Sequence, residues 1–292
     1  MAYMKNHPVF GKYNGSILRQ GTQSYQDIEP FSKFEMLCSD CNHENPVCGG
    51  HYDLTNKNIP DKLISYDLNN YGLRCDDFSK ELSGNNFLFS GCSHTSGVGI
   101  PYELTWAYQL NKMFNKENFF NVAIGANNIQ MSISNVFEYI KEFGNPSGIF
   151  ILLPDYSRST MFRYDTNYFE EFEEGKYIRT MGHFPLSNDY YRLSLYTQIT
   201  SLELYCNNLQ IPLIWGSWDN DTSEDINKFS DLFSNYLDMG PTNVDFNIIG
   251  NAPKELKKNK YWHKSRDLIH FGGGIHYWMA NRFKQEWDKK YA

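Results

Sequence analysis

Three residues of the chain have the types and the order that acyl transfer through a serine requires. Ser93 stands in a short turn, Gly91-Cys92-Ser93, between an apolar run and an amphipathic stretch. Far along the chain, Asp267 precedes His270 by three residues, so its carboxylate can fold back and hold Nδ1 of the imidazole while Nε2 faces outward. An imidazole held in this way can take the proton of a serine hydroxyl. Either motif alone is weak, because most such serines only connect a strand to a helix.

The elements that must position these residues are predicted by the apolar periodicity. From about residue 86, short apolar runs that end near Gly, Pro or Ser alternate with helix-length amphipathic stretches. This alternation predicts an α/β fold, with a parallel sheet of about five strands covered by helices on both faces. The predicted strands lie at 87–89, 119–124, 149–153, 211–215 and, more weakly, 246–249. The predicted helices lie at about 101–114, 128–143, 190–208, 223–237 and 273–288.

The carboxyl ends of the predicted strands are where a ligand is expected, because open parallel sheets form their sites outside those ends. Ser93 follows the first strand. Gly125 follows the second, and a glycine there lets a ligand approach the backbone and accept its N–H. An aromatic insertion of about 35 residues follows the third, at about 154–188. It predicts either a lid or wall of the site, or a surface excursion with its own small core.

Together these segments resemble the sequence blocks of the SGNH (GDSL-type) hydrolase family. They follow one another in the family's order across about residues 86–288: Gly91-Cys92-Ser93-His94-Thr95, then Asn121-Val122-Ala123-Ile124-Gly125, then Asp267-Leu268-Ile269-His270 with Gly272 and His276 after it. The resemblance implies a flavodoxin-like, three-layer αβα sandwich. It also implies esterase, lipase, deacetylase or acyl-transfer activity.

The roles of individual residues follow from the same resemblance. Ser93 would be the nucleophile, His270 the base and Asp267 the group that orients it, while backbone N–H groups of Ser93 and Gly125 would hold the oxyanion. No cofactor is needed for this chemistry. The expected partner is a small-molecule or glycan ester, for example an acylated or acetylated saccharide.

Several positions depart from the family pattern. Cys92 stands where the family has Asp; a Cys92 nucleophile is possible, but its side chain should point away from the direction of Ser93. The glycine of the second block can also align at Ala126. The third block, which normally supplies an oxyanion-hole Asn, reads Pro154-Asp155-Tyr156-Ser157-Arg158. Three side chains are candidates to replace that Asn: Asn127, Asn128 and Arg158.

Two other functions are alternatives to the ester hydrolase. In one, which the altered third block favours, the chain is a catalytically degraded hydrolase that serves as a binding or structural component of a larger assembly. In the other, the same triad transfers the acyl group to an acceptor other than water. Retention of Ser93, Asp267 and His270 together favours the hydrolase.

The first 80 residues are polar and weakly periodic, so the predicted organisation is an N-terminal extension, 1–80, followed by a hydrolase-like domain, 81–292. The extension contains Cys38-x2-Cys41-x6-Cys48-x2-His51. Close pairs of thiolate and imidazole ligands suit a tetrahedral, structural zinc. Free cysteines or a Cys38–Cys41 redox pair are the alternatives.

The composition limits the partners of the chain. A formal net charge of −7 argues against nucleic acid, because general nucleic-acid binders carry an excess of Lys and Arg. The longest apolar run, at 148–153, is far shorter than the roughly 20 residues of a membrane span. The first residues lack the apolar core of a signal peptide, so we expect a cytoplasmic location. The oligomeric state is not predicted.

Overall fold

The computed structural model describes residues 69, 71 and 73–292, with gaps at 126, 157, 165–176, 184–187, 241–243, 260–261, 263–264 and 266–269. The strands of this part of the chain are β1 (Phe87–Gly91), β2 (Phe120–Asn121), β3 (Gly148–Leu153), β4 (Arg158–Tyr164), β5 (Tyr177–His183) and β6 (Leu213–Ser217). Its α-helices are α1 (Lys80–Ser83), α2 (Ser93–Ser96), α3 (Trp106–Met113), α4 (Ile129–Phe143), α5 (Asn188–Asn208), α6 (Asn220–Asn227), α7 (Phe246–Gly250), α8 (Lys254–Lys257) and α9 (Gly273–Tyr291). Short 3-10 helices lie at Tyr102–Leu104 and Ser230–Leu232.

Four of the strands form one parallel sheet in the order β2-β1-β3-β6. The register of β1 and β3 runs from Phe87 opposite Gly148 to Gly91 opposite Leu152. Helix α4 contacts β1, β3 and α5, whereas α9 contacts α3 and β6. The predicted α/β architecture, a parallel sheet between layers of helices, is confirmed, with four strands in the described part of the chain rather than about five.

The central strands are buried along their whole length because helices cover both faces of the sheet. Every residue of β1, β3 and β6 is buried. Along β1, the ring centroid of Phe87 lies 4.8 Å from that of Trp287 in α9. The ring centroid of Phe89 lies 5.6 Å from that of Trp106 in α3. Oγ of Ser90 instead donates a hydrogen bond to a carbonyl of α4 (2.8 Å). Successive side chains of a strand point to opposite faces, so α3 and α9 cover one face and α4 the other.

Helices α3 and α9 are joined by a ring stack and by a buried histidine. The rings of Trp106 and Phe283 stack with centroids 4.7 Å apart. Nδ1 of His276 in α9 accepts the backbone N–H of Trp106 (3.1 Å). The first N–H groups of a helix have no partner within it, so His276 caps α3. This bond fixes the first turn of α9 against the start of α3.

The predicted fifth strand, at 246–249, is wrong: this segment forms helix α7. Asp245 caps it by accepting a backbone N–H of its first turn (2.8 Å). Phe246 is 73% exposed, whereas a strand inside a parallel sheet is buried on both faces. The place beside β6 is taken instead by a single parallel bridge between Trp215 and Tyr236.

Two other predicted elements are shorter in the structure. The run at 119–124 gives only the two residues of β2, because Oδ1 of Asn121 accepts the N–H of Ala123 (3.0 Å) and turns the chain away from the sheet. The helix predicted at 223–237 ends at Asn227, and a 3-10 helix follows it.

The long insertion after β3 contains an antiparallel hairpin. Strands β4 and β5 pair from Arg158 opposite His183 to Tyr164 opposite Tyr177. The hairpin begins at the carboxyl edge of the sheet, where β3 ends, and β4 also contacts α4. This edge is where a lid or wall is predicted, and that role stays a prediction.

Two further observations concern the organisation of the chain. Leu73, Cys75 and Phe78 are buried in the same hydrophobic core as β1 and α4. The side chain of Arg74 donates hydrogen bonds to the carbonyls of Gly97 (2.6 Å) and of Ile100. Among the helices formed by the described residues, none is both long enough and apolar enough to cross a bilayer.

Candidate active site

Ser93 lies in a turn that depends on the backbone of Gly91. Gly91 ends β1 with a φ of +151°, and a Cβ there would press against Oγ1 of Thr95 and lie 2.5 Å from the carbonyl oxygen of Leu152. A side-chain carbon does not tolerate such contacts, so glycine is required. The chain then passes through Cys92, and helix α2 begins at Ser93.

Hydrogen bonds to the carbonyl of Ser93 hold this turn. The N–H groups of Gly97 and Val98 donate to it (2.9 and 3.0 Å), and so does the hydroxyl of Ser96 (3.3 Å). Gly97 has a φ of +76°, the left-handed conformation that commonly ends a helix. Ser93 is therefore fixed at the carboxyl edge of the sheet, where it is 7% exposed.

Cys92 is fully buried beside the serine. Its Sγ accepts a hydrogen bond from the indole N–H of Trp218, at 3.2 Å, and lies 4.0 Å from Oγ of Ser93. The sequence predicts a thiol that points away from the direction of Ser93, whereas in the structure the two side chains are neighbours. Trp218 follows β6, so this bond joins the turn after β1 to the end of another strand.

His94 is enclosed by aromatic rings. Its ring centroid lies 4.3 Å from that of Trp218, 4.5 Å from Phe271 and 4.9 Å from His270. His94 is 5% exposed, and burial, reinforced by His270, lowers its pKa well below the usual range of histidine. Its Nδ1 has no hydrogen-bond partner among the described residues. His94 is therefore a neutral imidazole at ordinary pH.

His270 reaches the same edge from the C-terminal part of the chain. It lies shortly before α9, with its ring against that of His94, the residue next to Ser93. Its carbonyl accepts a hydrogen bond from Oγ of Ser265 (2.7 Å). The structure thus brings the segments of Ser93 and His270 together, and proton transfer between the two stays a prediction. Asp267 lies outside the described residues.

The predicted oxyanion donors fall into two groups. Gly125 is half-buried, and a Cβ built on it would meet only Cγ2 of Val98, at 3.8 Å, so its backbone has room for a ligand. Nδ2 of Asn127 instead donates to the carbonyl of Gly91 (3.3 Å). Oδ1 of Asn128 accepts an N–H of the first turn of α4 (2.9 Å). The amides of Asn127 and Asn128 thus hold the loop and the helix, which makes them poor substitutes for the missing Asn.

Tyr156 and Arg158 occupy the place of the third block and have different neighbours. The N–H of Tyr156 donates to Oγ1 of Thr222 in α6 (3.0 Å). Burial and the hydrogen bond to Asp225 raise the pKa of Tyr156 to about 12. The guanidinium of Arg158 lies over the indole of Trp218, 5.5 Å from the ring centroid. This segment therefore binds α6 and brings a positive charge to Trp218.

Trp218 and Phe271 are site residues that the sequence analysis missed. Trp218 contacts Cys92, His94 and Arg158, and Phe271 packs on His94. A signal was present, since Trp218 directly follows a strand, and the carboxyl ends of strands are where sites form.

The metal prediction falls outside this region. Cys38, Cys41, Cys48 and His51 are not among the described residues, and neither is Ala126. In the part of the chain that is described, no group of three or more His, Cys, Asp and Glu side chains is placed to hold a metal ion.

The fold and the site define a parallel α/β protein with a serine turn after β1 and a histidine before the C-terminal helix. It is similar to a psychrotrophic esterase, EstA, from Pseudoalteromonas sp., inhibited by monoethylphosphonate, with a TM-score of 0.41 and 11% identity over 70% of this chain and 97% of that one. It is also similar to a member of the lipolytic protein G-D-S-L family from Veillonella parvula DSM 2008, with a TM-score of 0.42 and 14% identity over 70% and 98% of the two chains. No family model and no curated protein sequence matches the chain.

Proposed function

We propose that the protein is a serine hydrolase that cleaves carboxylic esters. The observation that carries this proposal is the meeting of two segments at one edge of the sheet. Ser93 lies in a rigid turn after β1, and the ring of His270 lies 4.9 Å from that of His94, the neighbour of Ser93. Carboxyl ends of parallel strands are the usual location of such sites.

In the proposed reaction, Oγ of Ser93 attacks the ester carbonyl while His270 takes the hydroxyl proton. The tetrahedral intermediate collapses, the bond to the alcohol breaks, and His270 returns the proton to the leaving oxygen. Water, activated by the same imidazole, then releases the acid from Ser93. Asp267 would hold the imidazole in the required tautomer.

The developing oxyanion would be held by backbone N–H groups of Ser93 and Gly125. The open space at Gly125 supports this assignment, because a glycine at this point lets the ester oxygen approach the main chain. No cofactor takes part in this mechanism. The substrate is proposed to be a small-molecule or glycan ester, such as an acylated or acetylated saccharide.

A fluorophosphonate probe tests the proposal, because it reacts only with an activated nucleophile. Mass spectrometry should place the adduct on Ser93, and the Ser93→Ala variant should stay unlabelled while keeping its circular dichroism spectrum. The Cys92→Ala variant should still be labelled, since Cys92 is assigned no chemical role. A folded wild-type protein that stays unlabelled would count against the enzyme, and an adduct on Cys92 would assign the chemistry to the thiol.

A second candidate, a degraded hydrolase that binds without turnover, is favoured by the third block. Tyr156 stands where an oxyanion donor is expected, and its N–H and hydroxyl are both used to bind α6. Loss of one such donor costs a factor of about 10²–10³ in rate. Labelling of Ser93 without turnover of any ester would favour this candidate. An acyltransferase on the same triad would instead produce a new ester when alcohols or sugars are added as acceptors.

A further inference from the structure

In the part of the chain that the structure describes, a positive charge without a carboxylate partner lies over the indole that binds Cys92. The guanidinium of Arg158, at the start of β4, stands 5.5 Å from the centroid of Trp218. Within the described residues, no ion pair involves Arg158. Asp219, which follows Trp218, is engaged elsewhere, because its carboxylate accepts the N–H and the hydroxyl of Thr222 (2.9 and 2.7 Å). Among the described residues, no carboxylate therefore competes with a ligand for the charge of Arg158.

The imidazole that packs against the same indole carries an unpaired polar atom. Nδ1 of His94 is buried without a hydrogen-bond partner among the described residues, and the ring lies 4.3 Å from Trp218. Burial of an unpaired polar atom is unfavourable, so a bound polar group at this position would be stabilised. Because burial keeps His94 uncharged, it can form one neutral hydrogen bond there.

We infer that Arg158, Trp218 and His94 form a subsite for a carboxylate group carried by the ester substrate, an inference that rests on the function proposed above. A guanidinium binds a carboxylate through two parallel N–H bonds. The indole beneath it removes water from one side, which strengthens that attraction. The chain as a whole carries −7, so it repels anions at long range, and selection must come from this local contact.

Matched pairs of esters test the subsite. One pair is 4-nitrophenyl butyrate and the 4-nitrophenyl monoester of succinic acid, which differ by a carboxylate on the acyl side. The other is phenyl acetate and 3-carboxyphenyl acetate, which differ on the alcohol side. In at least one pair, kcat/KM should be higher for the charged ester. The ratio of kcat/KM for the charged over the neutral ester should decrease at high ionic strength.

Three variants assign that preference to Arg158. Arg158→Gln should lower the ratio of kcat/KM for the charged over the neutral ester by about tenfold or more, and Arg158→Lys should lower it less. Lys112→Gln removes one exposed positive charge from α3 and should leave the ratio unchanged. An unchanged ratio in Arg158→Gln overturns the subsite. An equal loss of kcat/KM for the charged and the neutral ester of a pair also overturns it. That result would mean that Arg158 stabilises the oxyanion or the fold.

A binding measurement separates this inference from the proposed function. If the wild type hydrolyses neither pair, calorimetric titration with 3-hydroxybenzoate, with phenol as the neutral control, reports on the subsite alone. Binding of the carboxylate that Arg158→Gln abolishes would support the subsite while the esterase proposal fails. Absence of binding to the wild type would overturn the subsite as well.

Discussion

At the scale of single residues, the proposed chemistry depends on the orientation of one imidazole. Asp267→Asn should leave the fold intact and lower turnover by about 10⁴-fold, the loss known for the matching change in serine proteases, because the wrong tautomer faces the serine. Turnover of a chromogenic ester and far-ultraviolet circular dichroism measure the two effects. Equal turnover by Asp267→Asn and the wild type would mean that Asp267 does not orient His270.

The turn that holds Ser93 gives a second prediction at this scale. Gly91→Ala should destabilise the protein by about 3 kcal/mol or more, because the new Cβ would press on Thr95 and on the carbonyl of Leu152. Gly125→Ala is the matched control, since its Cβ would meet only Val98, at 3.8 Å. Urea denaturation should show a large loss for the first variant and little for the second. Equal stability of the two variants would mean that the turn relaxes more easily than its geometry indicates.

At the scale of elements, a buried carboxylate joins helix α5 to helix α6. Asp225 in α6 accepts hydrogen bonds from Nε and Nη2 of Arg192 in α5 (2.8 and 3.1 Å) and from Lys228 (2.5 Å). Burial alone would raise the pKa of Asp225, but hydrogen bonds from Arg192, Lys228 and Tyr156 outweigh it and hold the pKa below its usual range. The same carboxylate therefore anchors Tyr156, at the start of the insertion.

The hydrogen bonds of Asp225 predict that two acidic residues that bind Arg192 contribute differently to the free energy of unfolding. Asp225→Asn should cost about 1–3 kcal/mol, because it weakens charged hydrogen bonds at a buried position. Asp189→Asn should cost close to nothing, because the side chain of Asp189 is 91% exposed and its bond to Arg192 is long (3.3 Å). Thermal or urea unfolding of the two variants gives the comparison. Equal losses would show that Asp225 adds no more than a surface charge.

The secondary structure of some segments could be predicted from their sequence, whereas that of others could not. Strands β1, β3 and β6 were predictable because each is apolar on both faces and bounded by turn residues. The run at 246–249 is also mostly apolar, with Asn247 as its polar residue. Tertiary packing nevertheless leaves it partly exposed, and the cap at Asp245 starts a helix there. Local periodicity cannot separate short apolar strands from short helices.

The site was predictable where it follows a motif, and not where it depends on packing. The sequence placed Ser93 after the first strand and His270 before the last helix, and the structure brings these segments to one edge. That Trp218 would bond to Cys92 and lie beneath Arg158 depends on how distant segments meet. The same is true of the amides of Asn127 and Asn128, which serve the loop after β2 rather than a ligand.

At the scale of the whole molecule, two buried histidines make the stability of the fold depend on pH. Burial lowers the pKa of His276 from 6.5 to about 3, and that of His94 well below 6.5. Below about pH 6.5 the unfolded chain therefore binds protons that the folded chain does not. The stability is complete above that pH and is lost as the pH falls toward 3, by up to about 1.4 kcal/mol per histidine and pH unit.

Urea unfolding at pH 7, 6 and 5 measures this slope. His276→Asn is the informative variant, because an amide oxygen can replace Nδ1 as the acceptor for the N–H of Trp106 but does not titrate in this range. The variant should show a smaller slope than the wild type. An unchanged slope would mean that His276 becomes protonated within the folded protein.

The N-terminal cysteines give a prediction for the full chain. If Cys38, Cys41, Cys48 and His51 bind zinc, elemental analysis should find one metal per chain, with four protein ligands that leave no open position for water. Chelation should then spare the initial reaction of Ser93 with a small probe. Absence of metal, with these cysteines freely titratable under native conditions, would remove the zinc site. Immediate loss of Ser93 labelling without unfolding would give the metal a different role.

The outer strands of the sheet limit how one copy of the protein can associate with another. An unpaired strand edge offers a row of N–H and C=O groups on which a strand of a second chain can grow into an aggregate. Here one border, β2, is only two residues long, and the other, β6, is already bridged by the segment of Tyr236. Within the described residues, neither border of this four-stranded sheet offers a long free edge, so these strands are protected against the edge-to-edge growth that leads to fibrils.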